Sequence, residues 1–421
     1  MHAPSTDNSA IARTADWRTP ALIAVLGCAI AFISFGPRSA LGNFLRPVTL
    51  DNDWPRETFA WALAIQTLLY GAAQPFSGAL ADRFGTARVM MAGATLYALG
   101  ILMMAHATTP GLLYFSNGVL IGIGLSGCSF NVVIASFGKQ LPERWRSTAF
   151  GAGTAAGSFG QLMFSPLSVY LIDQFGWQAA LEIFGLLLFL IVPLAFAVGT
   201  RGMVEAPSAA AKSIATDVAQ TYREALAEAL GHRSYILLVL GFFTCGFQLG
   251  FVTVHLPAYL VDRGLSADVG AWTLGIIGLF NMAGAMLSGW LGGFFPKRYI
   301  LSIIYFTRAA AVAFLVTMPA TPVVTMIYGA ITGLMWLSSV PPTSGLVVVM
   351  FGTRWLSMLF GIAFFSHQVG GFLGVWLGGL AFDHTGSYDV VWWLGAAFGI
   401  ISALINLPII EKPVVRLAPA A

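Results

Sequence analysis

Gly78-Ala79-Leu80-Ala81-Asp82-Arg83-Phe84-Gly85-Thr86-Ala87-Arg88 is a short charged stretch with long apolar runs on both sides. Gly78 permits a close helix crossing, Asp82 can accept from basic groups and from a neighbouring helix N-terminus, and Arg83 and Arg88 complete a charge latch at a membrane surface. Gly85 supplies a turn. In the second half, Gly289-Trp290-Leu291-Gly292-Gly293-Phe294-Phe295-Pro296-Lys297-Arg298 keeps the first glycine and the basic pair but puts Gly293 where the aspartate would fall. Its latch is expected to be the weaker one.

The likeness of the two stretches extends along the chain. Arg144, Trp145, Ser147, Phe150, Gly151, Gly160, Leu167, Asp173 and Gly176 recur 210 residues later as Arg354, Trp355, Ser357, Phe360, Gly361, Gly370, Leu377, Asp383 and Gly386, in a chain of 421 residues. Such a repeat is an internal duplication. Its composition is that of a membrane protein: 57% hydrophobic and 9% charged residues, with a mean hydropathy of +0.79, against about 25% charged residues in soluble domains. Twelve apolar runs can each cross a hydrocarbon core about 30 Å thick. They lie near 20–46, 57–81, 89–107, 110–138, 148–172 and 177–200, then 234–261, 268–294, 299–318, 321–351, 358–382 and 390–410. The fold class expected is therefore an all-α integral membrane protein of two pseudo-symmetric six-helix bundles.

Connections on the side of the N-terminus hold 16 of the 21 Lys and Arg residues, whereas the opposite side has Arg46, Arg56 and Arg263 among seven aspartates. Positive segments stay inside, so both termini are expected in the cytoplasm of a bacterial cell, with the chain multi-pass in the inner membrane. This rule accounts for the net charge of +3, and no nucleic-acid partner is called for. The first span is too long for a cleaved signal peptide. The organisation expected is a cytoplasmic tail (1–19), a bundle (20–200), a linker (201–233), a second bundle (234–410) and a second tail (411–421). Ile214, Val218, Ala225, Leu226 and Ala229 fall near helical spacing in the linker, so Thr216 to Leu230 reads as a surface-lying amphipathic helix or a helical spacer. Cys28, Cys128 and Cys245 fall inside spans with no CxxC or ligand cluster, so neither disulfide, metal nor other cofactor is expected. No nucleophile motif appears at depth, which argues against an enzyme.

The Gly78 to Arg88 stretch resembles the G-x-L-a-D-r-x-G-r-k signature of the major facilitator superfamily. That resemblance implies a secondary transporter whose halves rock about a central site, with the latch favouring the outward-open state. Arg144 and Arg354, each followed by Trp just before spans five and eleven, read as equivalent cytoplasmic anchors or as interfacial residues. Ser34-Phe35-Gly36-Pro37-Arg38, Arg146 to Gln161, and His367-Gln368-Val369-Gly370-Gly371-Phe372-Leu373-Gly374 are similar to bacterial members of the monocarboxylate transporter and oxalate/formate antiporter group. By that resemblance Arg38, a basic residue after proline in helix one, serves substrate and proton coupling. In helix eight those proteins have an acid or asparagine four positions before an arginine; here Asn281 fills the first place and Ala285 the second. Either Arg308 from the next helix takes over the carboxylate, or the ligand is held differently.

Ionisable groups at membrane depth mark function by default, because burying them costs roughly 2.5–3.5 kcal/mol on even the mildest scales. Arg38 lies toward the outer end of span one, Arg308 near the middle of span nine and His367 in the middle of span eleven, while no Asp or Glu lies clearly mid-span. Two cations without an opposing carboxylate describe a site completed by the ligand, so the expected substrate is a small organic anion. Snorkelling for Arg38 and a satisfied core position for His367 are the plain alternatives. His367 is the mid-span candidate for proton coupling, His255 is expected at the interface, and Glu182 near the outer end of span six. The duplication is broken where Arg38 faces Gln248 and Gly157 faces His367 at the offset of 210, and where Tyr70 faces Asn281 and Tyr97 faces Arg308 at an offset of 211. Trp336, Asn131, Gln161 and Tyr328 are further lining candidates. Proton-linked uptake is expected, with anion exchange, drug export and a non-transporting sensor as alternatives. The remaining partners expected are protons and bilayer lipid, for a monomer. Pro341-Pro342 must interrupt span ten.

Overall fold

The computed structural model describes residues 19–199, 221–352 and 355–414, without the side chains at positions 82, 130, 135, 138, 139, 143, 144, 146, 147, 222 and 357. The described residues form helices and no strand. The first half begins with α1 (Pro20–Ala40), a 3-10 turn (Leu41–Phe44) and α2 (Leu45–Asp51), followed by α3 (Arg56–Phe84) and α4 (Thr86–Ala105). The next crossing is built from α5 (Pro110–Leu113), a π-helical stretch (Tyr114–Ile121), α6 (Gly122–Cys128) and α7 (Phe130–Gln140). α8 (Glu143–Leu188) and α9 (Ile191–Val198) close the half. After α10 (Tyr222–Gly231) come α11 (Arg233–Asp262), α12 (Ala267–Leu291), α13 (Lys297–Thr317), α14 (Pro322–Met335), α15 (Val340–Phe351), α16 (Leu356–Thr385) and α17 (Asp389–Asn406).

Ten helical segments among the described residues are long and apolar enough to cross a bilayer. One of them, Thr148–Val198, spans 51 residues and is broken at Gly176, whose φ of 84° only glycine adopts without strain. α3, at 29 residues, is long enough but less apolar. Dividing the first and including the second gives the twelve runs counted in the sequence. Gly386, the repeat partner of Gly176, likewise takes a positive φ of 68° to turn the chain from α16 into α17.

The interruption of span ten falls at residues 336–339, just before the prolines, which sit in the first turn of α15. The missing amide donors cost nothing there, because first-turn amides have no partner within the helix. Span four breaks at Ser129, 210 positions before Ser339, with no proline to announce it. The described part of the linker helix is α10. Its capping box pairs Thr221 with Glu224, and Ala225 and Ala229 are buried, Ala229 within the second half's core.

Within the first half α1 packs on α8 and α4 on α6 and α8; within the second, α11 packs on α16, α13 on α17 and α12 on α14. The halves meet along α3 with α16 and α8 with α12. Small residues let the backbones touch: a Cβ at Gly246 would fall on the His367 carbonyl oxygen, and one at Gly374 on that of Phe247. Gly71, Gly371 and Gly379 do the same between the halves, against Gln368, Thr67 and Glu57. Gly78 is different from expectation. Among the described residues nothing lies within 4 Å of where its Cβ would be, nor of those at Gly151 and Gly361.

Candidate functional site

α13 carries Arg308 into the second half, where only 2% of its surface remains accessible and neither Nη1 nor Nη2 has a hydrogen-bond partner among the described residues. The carboxylates on the helices around it, Asp262, Asp383 and Asp389, stand at helix ends. A buried guanidinium in this condition is unstable by several kcal/mol until an anion or polar ligand meets it. Gln248 from α11, Tyr328 and Thr332 from α14, and Trp336 from the break after α14 line the same small cavity, about 10 Å³. The Gln248 amide is fixed by donation from Nε2 to the Gly395 carbonyl at 2.7 Å, and Oε1 is left without a partner.

His367, 8% accessible, lies between Phe242 and Phe364, with ring centroids 5.0 Å and 5.7 Å away and the Phe364 ring nearly parallel at 5°. Its Nδ1 is 3.0 Å from Gln368 Oε1, and Gln368 Nε2 donates across the halves to the Thr67 carbonyl at 3.2 Å. Phe364 also meets Tyr70 edge-on at 6.2 Å, and the Arg38 guanidinium covers the other part of that ring at 4.6 Å. Rings from both halves thus connect the surroundings of Arg38 with those of His367. Tyr97 is fully buried within electrostatic reach of Arg38 and Cys128.

The broken symmetry has a spatial meaning. Arg38 and Tyr97 are neighbours in the first half, while their repeat partners Gln248 and Arg308 share a cavity in the second. The arginine has moved from the first helix of the pair to the third. Asn281 stands apart from this arrangement. It donates to Ser158 Oγ at 2.9 Å and accepts from the Leu337 amide at 3.0 Å, pinning α12 to α8 and to the break in span ten. Gln161 makes a similar bond across the halves, to the Leu274 carbonyl at 3.1 Å. Asn131 is exposed and bonds Gln74. His255 is not interfacial but wholly buried, its Nε2 2.7 Å from the Val375 carbonyl oxygen, because Gly378 leaves room for the ring. Glu182 pairs with His106 at 3.1 Å.

On the side of the termini Arg83 and Arg88 are exposed, and Gly85 turns the chain at a φ of 90°. The side chains of Asp82 and Arg144, and Arg354 altogether, lie outside the described residues. On the far side the halves are joined. Arg56 grips Asp262 through two bonds of 2.5 and 2.9 Å, donates to Tyr388 Oη at 2.8 Å and covers Phe382 at 3.6 Å. Asp383 accepts from the first amides of α3, Arg56 N at 3.1 Å and Glu57 N at 2.6 Å, as a carboxylate at a helix N-terminus should. Trp376 Nε1 donates to Glu57 at 3.0 Å. Asp173, the repeat partner of Asp383, instead lines a crevice of about 180 Å³ with Arg46, Asn43 and Ala267, and Arg46 pairs across the halves with Asp262 at 3.6 Å. Among the described residues Asp383 caps α3 across the halves, whereas Asp173 makes no matching bond to the start of α12. The only hint of this cluster in the sequence was the sparse set of far-side arginines among aspartates, which had served to orient the chain.

The sequence profile described as Major Facilitator Superfamily matches residues 27–375. The chain is 29% identical over 395 residues to the "Uncharacterized MFS-type transporter YcxA" of Bacillus subtilis (strain 168), covering 91% of this chain and 93% of that one. It is 25% identical over 383 residues to "Monocarboxylate transporter 13" of Bos taurus, covering 89% and 86%, and 23% identical over 412 residues to "Monocarboxylate transporter 11" of Homo sapiens, covering 92% and 82%. Among solved structures, one titled "Crystal structure of D-xylose-proton symporter" superposes with a TM-score of 0.71 at 14% identity, over 93% of this chain and 97% of that one. At that identity the match shows the fold.

Proposed function

The chain belongs to the major facilitator superfamily, a family of transporters, and on that premise we propose that it carries a small organic anion, a carboxylate, by alternating access. The observation behind this reading is Arg308, a buried guanidinium whose Nη1 and Nη2 have no hydrogen-bond partner and which pairs with no carboxylate among the described residues. Arginine offers a planar pair of donors matched to a carboxylate and keeps its charge at any physiological pH. Gln248, Tyr328 and Trp336 shape the same space, and the relatives named as monocarboxylate transporters point to the same ligand class. Arg38, backed by Tyr70 and Tyr97, is the attracting cation of the opposite half.

A far side joined through Arg56, Asp262 and Asp383, with Arg83 and Arg88 exposed at the other end, supports reading this as one end-state of a rocker switch. With both termini in the cytoplasm, as the Lys and Arg distribution implies, this state is open inward, and the membrane is the inner membrane of a bacterium. Transport is proton-linked uptake. His367 is the coupling group, since it lies between the two arginine regions and reaches Thr67 of the other half through Gln368. Asp82 with Arg83 and Arg88, and the paired Arg144 and Arg354, form the cytoplasmic closure of the opposite state.

The test is a thermal-shift screen of the purified chain against carboxylates, repeated with Arg308→Ala. At least one carboxylate should raise the midpoint of the parent and none that of the variant. Stabilisation that survives the substitution would remove Arg308 from the site.

A further inference from the structure

Cys245 stands on α11 one turn before Gln248, so it faces the same interior as Arg308. It is wholly buried, and its partners lie on other elements. Sγ is 3.3 Å from Ser339 Oγ and 4.0 Å from the Trp336 carbonyl oxygen, both in the break of span ten. The close approach at Gly246 brings the His367 backbone against α11, and the imidazole comes within hydrogen-bonding reach of the thiol. Arg308 and Tyr305 of α13 complete the surroundings, the Tyr305 hydroxyl also reaching Ser339. No Asp or Glu is among these neighbours. Cys128 shows the ordinary alternative: equally buried, it donates to the Gly124 carbonyl of its own helix at 3.4 Å.

Both protonation states of Cys245 have partners in place. As a thiol it can donate to Ser339 Oγ or to the Trp336 carbonyl; as a thiolate it can accept from the Ser339 hydroxyl and from His367. Arg308, 2% accessible and with Nη1 and Nη2 unpartnered among the described residues, offers the positive charge that a buried thiolate requires. We propose that Cys245 holds the proton that travels with the carboxylate: its thiolate is the internal counter-ion of Arg308 in the unloaded carrier, and it is protonated through His367 when the substrate takes the guanidinium. The charges balance at both stages. Unloaded, the guanidinium and the thiolate sum to zero. On loading, His367 draws a proton from the aqueous opening and passes it to the sulfur, forming S–H and leaving the imidazole neutral. Guanidinium, carboxylate and thiol again sum to zero, so no net charge crosses the hydrocarbon, where it would be costly. The proposal rests on reading Arg308 as the anion-binding group, and it adds to His367, the relay, the group that retains the proton.

The experiment uses the full chain in detergent with Cys28→Ser and Cys128→Ser, so that Cys245 is the one remaining thiol. Thiolate ultraviolet absorbance is read without ligand and during titration with sodium acetate, L-lactate and benzoate, beside proton uptake reported by a pH dye in weak buffer. At neutral pH, where a free thiol is only slightly ionised, the unloaded chain should absorb as a thiolate and Arg308→Gln should remove that signal. A carboxylate that binds should abolish the signal with uptake of about one proton, and its affinity should weaken by up to about tenfold per pH unit as the pH rises. Cys245→Ser should bind the same carboxylate without proton uptake or that slope. No thiolate signal in the unloaded chain, or uptake unchanged in Cys245→Ser, overturns the proposal. If Cys245→Ser does not fold, a thiolate signal that persists when a carboxylate binds overturns it instead. Carboxylate binding lost in Arg308→Gln, with no thiolate signal in the parent, would sink the role of Cys245 alone; a thiolate signal that depends on Arg308, with no carboxylate bound, would keep the pair and sink the proposed substrate class.

Discussion

Arg308 and Asn281 show how differently two buried polar residues can be employed. Asn281 has both ends of its amide satisfied by α8 and the span-ten break, so Asn281→Ala should act on stability. Losing two buried hydrogen bonds predicts a loss of about 2–3 kcal/mol, read as a lower denaturation midpoint, with carboxylate affinity in the folded fraction little changed. Arg308→Lys should act the other way, keeping the charge and the fold but replacing a fork of donors with a point charge. Carboxylate affinity is expected to fall by roughly tenfold or more in a binding titration. For His367→Gln, uptake should lose its dependence on an inward proton gradient while exchange of labelled for unlabelled substrate persists; unchanged proton dependence would exclude His367 as the coupling group. Arg308 could be found in the sequence because a charge in an apolar run is conspicuous, and Gln248 because the duplication fails there. The pinning role of Asn281 was not legible, since Ser158 and Leu337 are 123 and 56 positions away and only the folded chain brings them together.

Among the helices, α11 and α16 are the pair most dependent on small residues. Any side chain at Gly246 collides with the backbone of His367, so Gly246→Val is expected to prevent accumulation of folded protein, the strain exceeding about 3 kcal/mol. Gly361→Ala, by contrast, meets nothing within 4 Å and should leave the unfolding midpoint unchanged or raise it slightly. Expression and melting of the two variants side by side would check the contrast. Sequence periodicity located these helices well because apolar length is all that a crossing requires. It did not locate the break at Ser129, where no proline marks the backbone change and the preceding Gly127 reads as a packing residue, and it assigned the glycines of α16 to packing without saying which neighbour they admit. The misplacement of His255 has the same origin: a histidine near the end of an apolar run reads as interfacial until Gly378 is seen to open a slot for it.

For the molecule as a whole, the joining of the halves on the far side depends on a few side chains. Asp262→Asn removes the charge that Arg56 grips and should shift the carrier toward the state open on the far side. A cysteine placed at Ala60, which is fully buried against Gly379, should then react with a membrane-impermeant maleimide roughly tenfold faster than in the otherwise unchanged chain, a factor corresponding to about 1.4 kcal/mol. The native cysteines at 28, 128 and 245 set the background. The two-bundle plan was legible in the sequence; the far-side fastening through Arg56, Asp262 and Asp383 was not. A latch motif names the residues able to close one face, whereas the balance between two faces is a small difference between sums over both.

Asp262 and Arg56 keep side-chain exposures of 24% and 12%, and Arg308 is sealed from solvent. Dissolved ions shorten the reach of the first pair, with a Debye length of about 8 Å in physiological saline, and hardly touch the second. The carrier therefore senses its medium in two separable ways. On the proposed function, added salt should loosen the far pair slightly, because that pair is partly exposed, and should act less on the buried Arg308.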